Sequence, residues 1–141
     1  MKIKFQKLFI DAQIPTYAHP GDAGLDLYSY EDVVVAPNAR HAVSLGFALE
    51  IPHGYVSRIL DRSGLAIKHG IHCLAGVVDA GYRGEYKAVI INLGTEPCKI
   101  EKGDRVAQML IQPVEICEIE EVESLSETER GKGGFGASGK K

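Results

Sequence analysis

The alternation of residues 41–51 constrains this chain more than any other feature. Val43, Leu45, Phe47, Leu49 and Ile51 occupy the odd positions, and Ala42, Ser44, Gly46, Ala48 and Glu50 the even ones. A period of two puts each set on its own face of a pleated strand, so the segment is predicted to be one half-buried strand. Ile3 and Phe5, interleaved with Lys2, Lys4 and Gln6, repeat the pattern near the start. Further strands are predicted at Val33–Val35, Tyr55–Leu60, 85–93, 106–113 and 116–122. Turn residues separate them: Pro37-Asn38, Pro52-His53-Gly54, 94–97 and Lys102-Gly103-Asp104. Many short strands at this spacing predict an all-β barrel or sandwich. Only Ser63–His69 reads as helical, a turn or two carrying Leu65, Ala66 and Ile67, with Gly70 as its stop.

A chain of 141 residues makes one domain and can bury a core without disulfides. Residues 1–125 read as the barrel and 126–141 as a mobile glycine-rich arm of the same domain. The change of character starts with Glu118, Glu120, Glu121, Glu123, Glu127 and Glu129, and ends in RGKGGFGASGKK. Five of the chain's 16 glycines lie in that tail, which cannot pack a core. A net charge of −3 excludes a globally basic binder of nucleic acid polymers but leaves a local basic site open. No apolar run approaches the roughly 18–20 residues of a membrane span, and Lys2, Lys4 and Lys7 interrupt the start where a signal peptide would be apolar. Cys73, Cys98 and Cys117 are odd in number and far apart, so free thiols in a reducing cytoplasm are expected rather than a zinc site.

Read singly, the polar motifs each have a plain alternative. The tail fits two phosphate-loop patterns, Gly131-x-Gly133-x-x-Gly136 and Gly134 to Lys140. Neither is followed by the helix that such loops need, and both are rejected. What remains is glycine N–H groups with Arg130, Lys132 and Ser138 around an anion, and Phe135 as a ring free to stack, against a plain disordered tail. Asp61-Arg62-Ser63-Gly64 is either a phosphate seat or an ordinary helix cap by Ser63 or Asp61. Asp79 and Tyr82 sit in a glycine-punctuated bend, where Asp79 either orients a water or is a turn residue. Asp26, between Leu25 and Leu27, is either metal-facing or solvent-facing. Gln108 is a polar group held near the core or a satisfied buried amide.

Taken together, AGLDLYS (23–29), RSGLAIKHG (62–70), AGVVDAGYRGE (75–85), GDRVAQ (103–108) and RGKGGFGASG (130–139) resemble the trimeric branch of the deoxyuridine triphosphatase (dUTPase) family. The resemblance implies a jelly-roll-like β-barrel and a homotrimer whose sites are shared between subunits. It implies hydrolysis of dUTP to dUMP and pyrophosphate with Mg²⁺, which limits uracil in DNA and supplies dUMP. Asp79 matches the carboxylate serving the attacking water. An exposed carboxylate is a weak base at neutral pH, so orientation is its expected service. Gln108 matches the residue that helps position that water, and Asp26 one that reaches the metal through water. Arg62, Ser63 and Gly64 match the phosphate seat, and Tyr82 the ring under the deoxyribose. Cys73, Gly76 and Val78 lie in the hairpin matching the uracil reader. Arg130, Phe135, Gly136 and Ser138 match the arm's contacts to phosphate and base.

Two positions depart from the family pattern. Asp61 stands where a proline is usual, a carboxylate beside a triphosphate seat, and Ala137 stands where a hydroxyl residue is frequent. Two other functions compete. A dCTP deaminase on the same scaffold would have a catalytic Glu where Val89 stands, and a non-catalytic trimeric nucleotide binder would need no Asp79.

Overall fold

Gly46 divides the alternating segment into two strands. Its backbone has φ 72°, and a Cβ there would lie 2.9 Å from the Cβ of Ala12 and 3.0 Å from the ring of Tyr30. Only glycine takes that turn without strain. The computed structural model describes residues 1–134. In chain order the strands are β1 (Lys4–Lys7), β2 (Thr16–Tyr17), β3 (Leu25–Tyr28), β4 (Val33–Val35), β5 (Arg40–Ser44), β6 (Phe47–Glu50) and β7 (Tyr55–Leu60). Helix α1 (Ser63–His69) follows, then β8 (Ile71–Cys73), β9 (Val77–Asp79), β10 (Lys87–Asn92), β11 (Cys98–Ile100) and β12 (Arg105–Pro113).

The strands pair antiparallel in the orders β2-β3-β12-β7-β9, β5-β10-β8, β1-β6 and β4-β11. Most neighbours are distant in sequence, so the chain crosses repeatedly between sheets, as the expected jelly-roll barrel requires. The inward faces supply one core in which Leu27, Val43, Phe47, Tyr86, Ile90 and Met109 are fully buried. Phe47 stands edge-on to Phe5 and stacks on Tyr86, each at 5.3 Å between centroids. Buried polar groups are paired: Ser57 Oγ meets Tyr86 Oη at 2.8 Å, and Asn92 Nδ2 donates to the carbonyls of Val35 and Glu96, each at 2.8 Å.

Helix α1 has the predicted bounds, and Gly70 closes it by donating its N–H to Ala66 O. Three expectations need correction. Residues 41–51 are two strands, and β6 is buried on both faces at Phe47, Ala48 and Leu49 rather than half-buried. Residues 85–93 shorten to β10 because Glu85 leaves the ladder and turns its carboxylate to Ser44 Oγ and the Gly46 N–H. Residues 116–122 form no strand. Among the described residues no strand pairs with that segment, and a strand needs a partner for its backbone N–H and C=O groups.

Candidate functional site

The first cluster forms where β3, β12 and the end of β7 adjoin. The β3–β12 register sets Asp26 opposite Gln108, and the β7–β12 register sets Gln108 opposite Leu60. Asp26 is buried, and two guanidinium groups hold it: Arg62 Nε lies 3.2 Å from one carboxylate oxygen and Arg105 Nη1 3.2 Å from the other. Arg62 Nη1 also donates to Arg105 O at 3.1 Å. The solvent-facing reading of Asp26 is therefore corrected. A carboxylate removed from water needs such charge-assisted partners, and here it fixes the orientation of Arg62.

Helix α1 begins without a side-chain cap. Arg62 is the capping residue, in extended conformation, and neither Asp61 nor Ser63 bonds to the first turn. Ser63 and Gly64 lie exposed beside it. Gln108 donates Nε2 to the Asp61 carbonyl at 2.7 Å, while its side-chain oxygen lies against Gly24, where a Cβ would come within 2.5 Å. Gln108 is thus a satisfied amide with a fixed direction.

The second cluster is the hairpin after β8. A cleft of about 490 Å³ is lined by residues that include Gly76, Val78, Asp79, Tyr82, Tyr86 and Val89. Gly76 has φ 94°, and a Cβ there would meet Ile59 O at 2.4 Å. The Ile59 N–H donates to Gly76 O at 2.8 Å, so the hairpin lies directly on β7. Asp79 ends β9 with an exposed side chain, and its carbonyl accepts the Tyr82 N–H at 3.1 Å. Tyr82 leans on the buried Tyr86 at 5.9 Å and donates its hydroxyl to Glu85 O at 3.0 Å. Cys73 lies at the approach to this cleft. Burial first, and the Asp61 carboxylate second, push its thiol up to about 12, so it stays a neutral thiol.

The two clusters are apart within one chain. Asp79 lies opposite Val56 and Gln108 opposite Leu60, four residues along β7 and on opposite sides of it. At about 3.3 Å per residue along a strand and about 4.8 Å between strands, that separates them by roughly 15 Å. Arg130 is exposed and donates to Gly133 O at 2.9 Å. Phe135, Gly136 and Ser138 lie outside the described residues.

The sequence reading did not single out Arg105 as a site residue. Its signal was its place in GDRVAQ, two residues past a turn glycine, but its bond to Asp26 follows only from the β3–β12 register.

The model of the family described as dUTPase matches residues 11–139. A deoxyuridine 5'-triphosphate nucleotidohydrolase of Nautilia profundicola is 50% identical over 142 residues, covering 99% of this chain and 100% of that protein. One of the same name from Clostridioides difficile is 47% identical over 139 residues, covering 97% of each. Among solved structures, a mutant dUTPase of Staphylococcus bacteriophage 80alpha with dUpNHpp superposes with a TM-score of 0.92 at 31% identity, covering 98% of each chain. A mutant dUTPase of S. aureus phage phi11, described with a structural Mg(II) ion, superposes with a TM-score of 0.81 at 28% identity, covering 88% of this chain and 98% of that one.

Proposed function

The chain belongs to the dUTPase family, and on that premise we propose that it hydrolyses dUTP to dUMP and pyrophosphate by water attack at the α-phosphorus, in a cytoplasmic homotrimer. The observation that carries the reading is the hairpin cleft, which has Asp79 and Tyr82 on its lining and Gly76 folded onto β7 beneath it. A flat pyrimidine fits between the backbone of 74–78 and Val89, where backbone groups read its edge and the narrow hairpin excludes a 5-methyl group. Tyr82, steadied by Tyr86 and Glu85, lies under the sugar and leaves no room for a 2′-hydroxyl.

Asp79 orients the water. The new bond forms from that water to the α-phosphorus as the bond to the bridging oxygen breaks. Pyrophosphate leaves with the bonding pair, and the water's proton passes to Asp79 and then to solvent. Gln108 directs its side-chain oxygen at the same water. Arg62, aligned by Asp26, retains donors for the phosphate oxygens, with Ser63 and Gly64 beside it. Arg130, Phe135, Gly136 and Ser138 of the arm complete the grip on phosphate and base.

Asp79 and Gln108 are too far apart in one chain to hold one water, which is the reason to build each site from neighbouring subunits.

Both oxygens of Asp26 accept from guanidinium groups, so it fits a water-mediated contact to Mg²⁺ better than direct ligation. When bound, Mg²⁺ neutralises phosphate charge that the protein's own cations leave uncovered.

Incubation with dUTP, dCTP, dTTP and UTP, with Mg²⁺ or EDTA, tests this reading. Pyrophosphate is expected from dUTP alone and little of it in EDTA. Ammonia from dCTP would establish a deaminase, and no product from any nucleotide would leave a binding protein.

A further inference from the structure

We propose that Asp61 is a positioning residue that clamps the phosphate seat to the base-reading hairpin and aims Gln108. The proposal rests on the dUTPase reading above. Asp61 follows β7 and immediately precedes Arg62. Its carboxylate reaches β8 in the other sheet, with one oxygen 2.7 Å from His72 Nδ1 and the other accepting the Cys73 N–H at 2.5 Å. Its own carbonyl accepts Gln108 Nε2 at 2.7 Å.

One residue therefore fixes three parts of the machinery. The carboxylate ties the segment bearing Arg62, Ser63 and Gly64 to the strand that leads into the hairpin of Gly76, Val78 and Asp79. The carbonyl sets the direction of the Gln108 amide, because once Nε2 is engaged the oxygen must face the other way, toward Gly24. A proline at this position would have no side-chain acceptor and no such tie. The His72 ring and the Cys73 N–H engage both oxygens of the carboxylate, which leaves neither free to meet a bound phosphate. Catalysis of this kind depends on placement, and a displacement of about 1 Å can cost on the order of a hundredfold in rate.

Asp61→Ala removes the tie and keeps the carbonyl, whereas Asp61→Asn keeps an acceptor for the Cys73 N–H and a side chain of the same length beside His72 Nδ1. Both variants and the parent are assayed for kcat and KM on dUTP, and for hydrogen exchange of the Cys73 amide. Asp61→Ala is expected to lower kcat about tenfold or more, with a smaller change in KM, and to leave the Cys73 amide fast-exchanging. Asp61→Asn is expected to restore slow exchange and most of kcat. Parental kcat in Asp61→Ala, or equal damage in the two variants, would overturn the clamp. Should Asp61→Ala not fold, His72→Ala removes one arm of the tie and is expected to lower kcat and to speed exchange of the Cys73 amide, and parental values of both would overturn the clamp. If the parent itself does not turn over dUTP, the dUTPase reading fails, and the exchange data still decide whether the tie exists.

Discussion

Asp79 and Gln108 flank opposite ends of β7, the first opposite Val56 and the second opposite Leu60. No side-chain rotation closes a separation of roughly 15 Å set by strand geometry. Two variants inactive for different reasons are therefore expected to complement each other. Asp79→Asn and Gln108→Ala chains, unfolded together and refolded, produce mixed assemblies in which some sites take an intact residue from each chain. Pyrophosphate release well above either variant alone checks this. No recovery in the mixture would place each site within one chain.

Asp79→Asn by itself keeps the shape of the cleft and removes the carboxylate. Its kcat is expected to fall by about 10²–10⁴-fold, the usual worth of a positioned acid–base group. A non-hydrolysable dUTP analogue should bind as before, as titration calorimetry would show. Near-normal turnover would remove Asp79 from the mechanism.

Arg62→Lys retains the charge and loses the planar fork that spans Asp26 and Arg105 O. A charge-assisted hydrogen bond contributes about 1.5–3 kcal/mol, so KM for dUTP is expected to rise on the order of tenfold or more. Steady-state kinetics at fixed Mg²⁺ measure it, and an unchanged KM would mean that Arg62 serves Asp26 alone.

Gly76→Ala forces a Cβ against Ile59 O at a φ of 94°. A side chain in left-handed backbone costs about 1–2 kcal/mol before the clash is counted. The melting temperature is expected to drop by several degrees and dUTP turnover to collapse with the hairpin, whereas Gly81→Ala, with open space around its Cβ position, should melt as the parent does.

Asp61 gives a pH dependence of defined sign. Burial raises its pKa, but hydrogen bonds from His72 and the Cys73 N–H outweigh that and hold it below its ordinary 3.8. A depressed folded value means that the ionised carboxylate stabilises the fold above about pH 4, and that this contribution is lost as pH falls through the folded pKa. Urea unfolding of the parent and Asp61→Asn at equal protomer concentration should show the parent's advantage at pH 7 shrinking at pH 3. A gap constant across that range would deny the linkage.

The sequence by itself determined the all-β class, the single helix with its glycine stop, most strand positions and the residue types of the site. Those properties are local: a period of two, a turn glycine, an arginine beside a serine. It also placed Asp79 and Tyr82 beside a bend and Arg62 ahead of α1. What only the tertiary structure decided was pairing. Asp26 is buried and doubly held because β3 lies against β12, which brings Arg105 within reach, and because β7 delivers Arg62 to the same point. Asp61, which in sequence is an awkward charge beside a phosphate seat, faces His72 and Cys73 because β8 belongs to the opposing sheet. Residues 116–122 show the converse, an apolar and acidic run that becomes a strand only where an edge receives it. Periodicity reports which face of a segment is apolar, whereas strand order across crossovers is chosen by the whole barrel, and that order decides which charges meet.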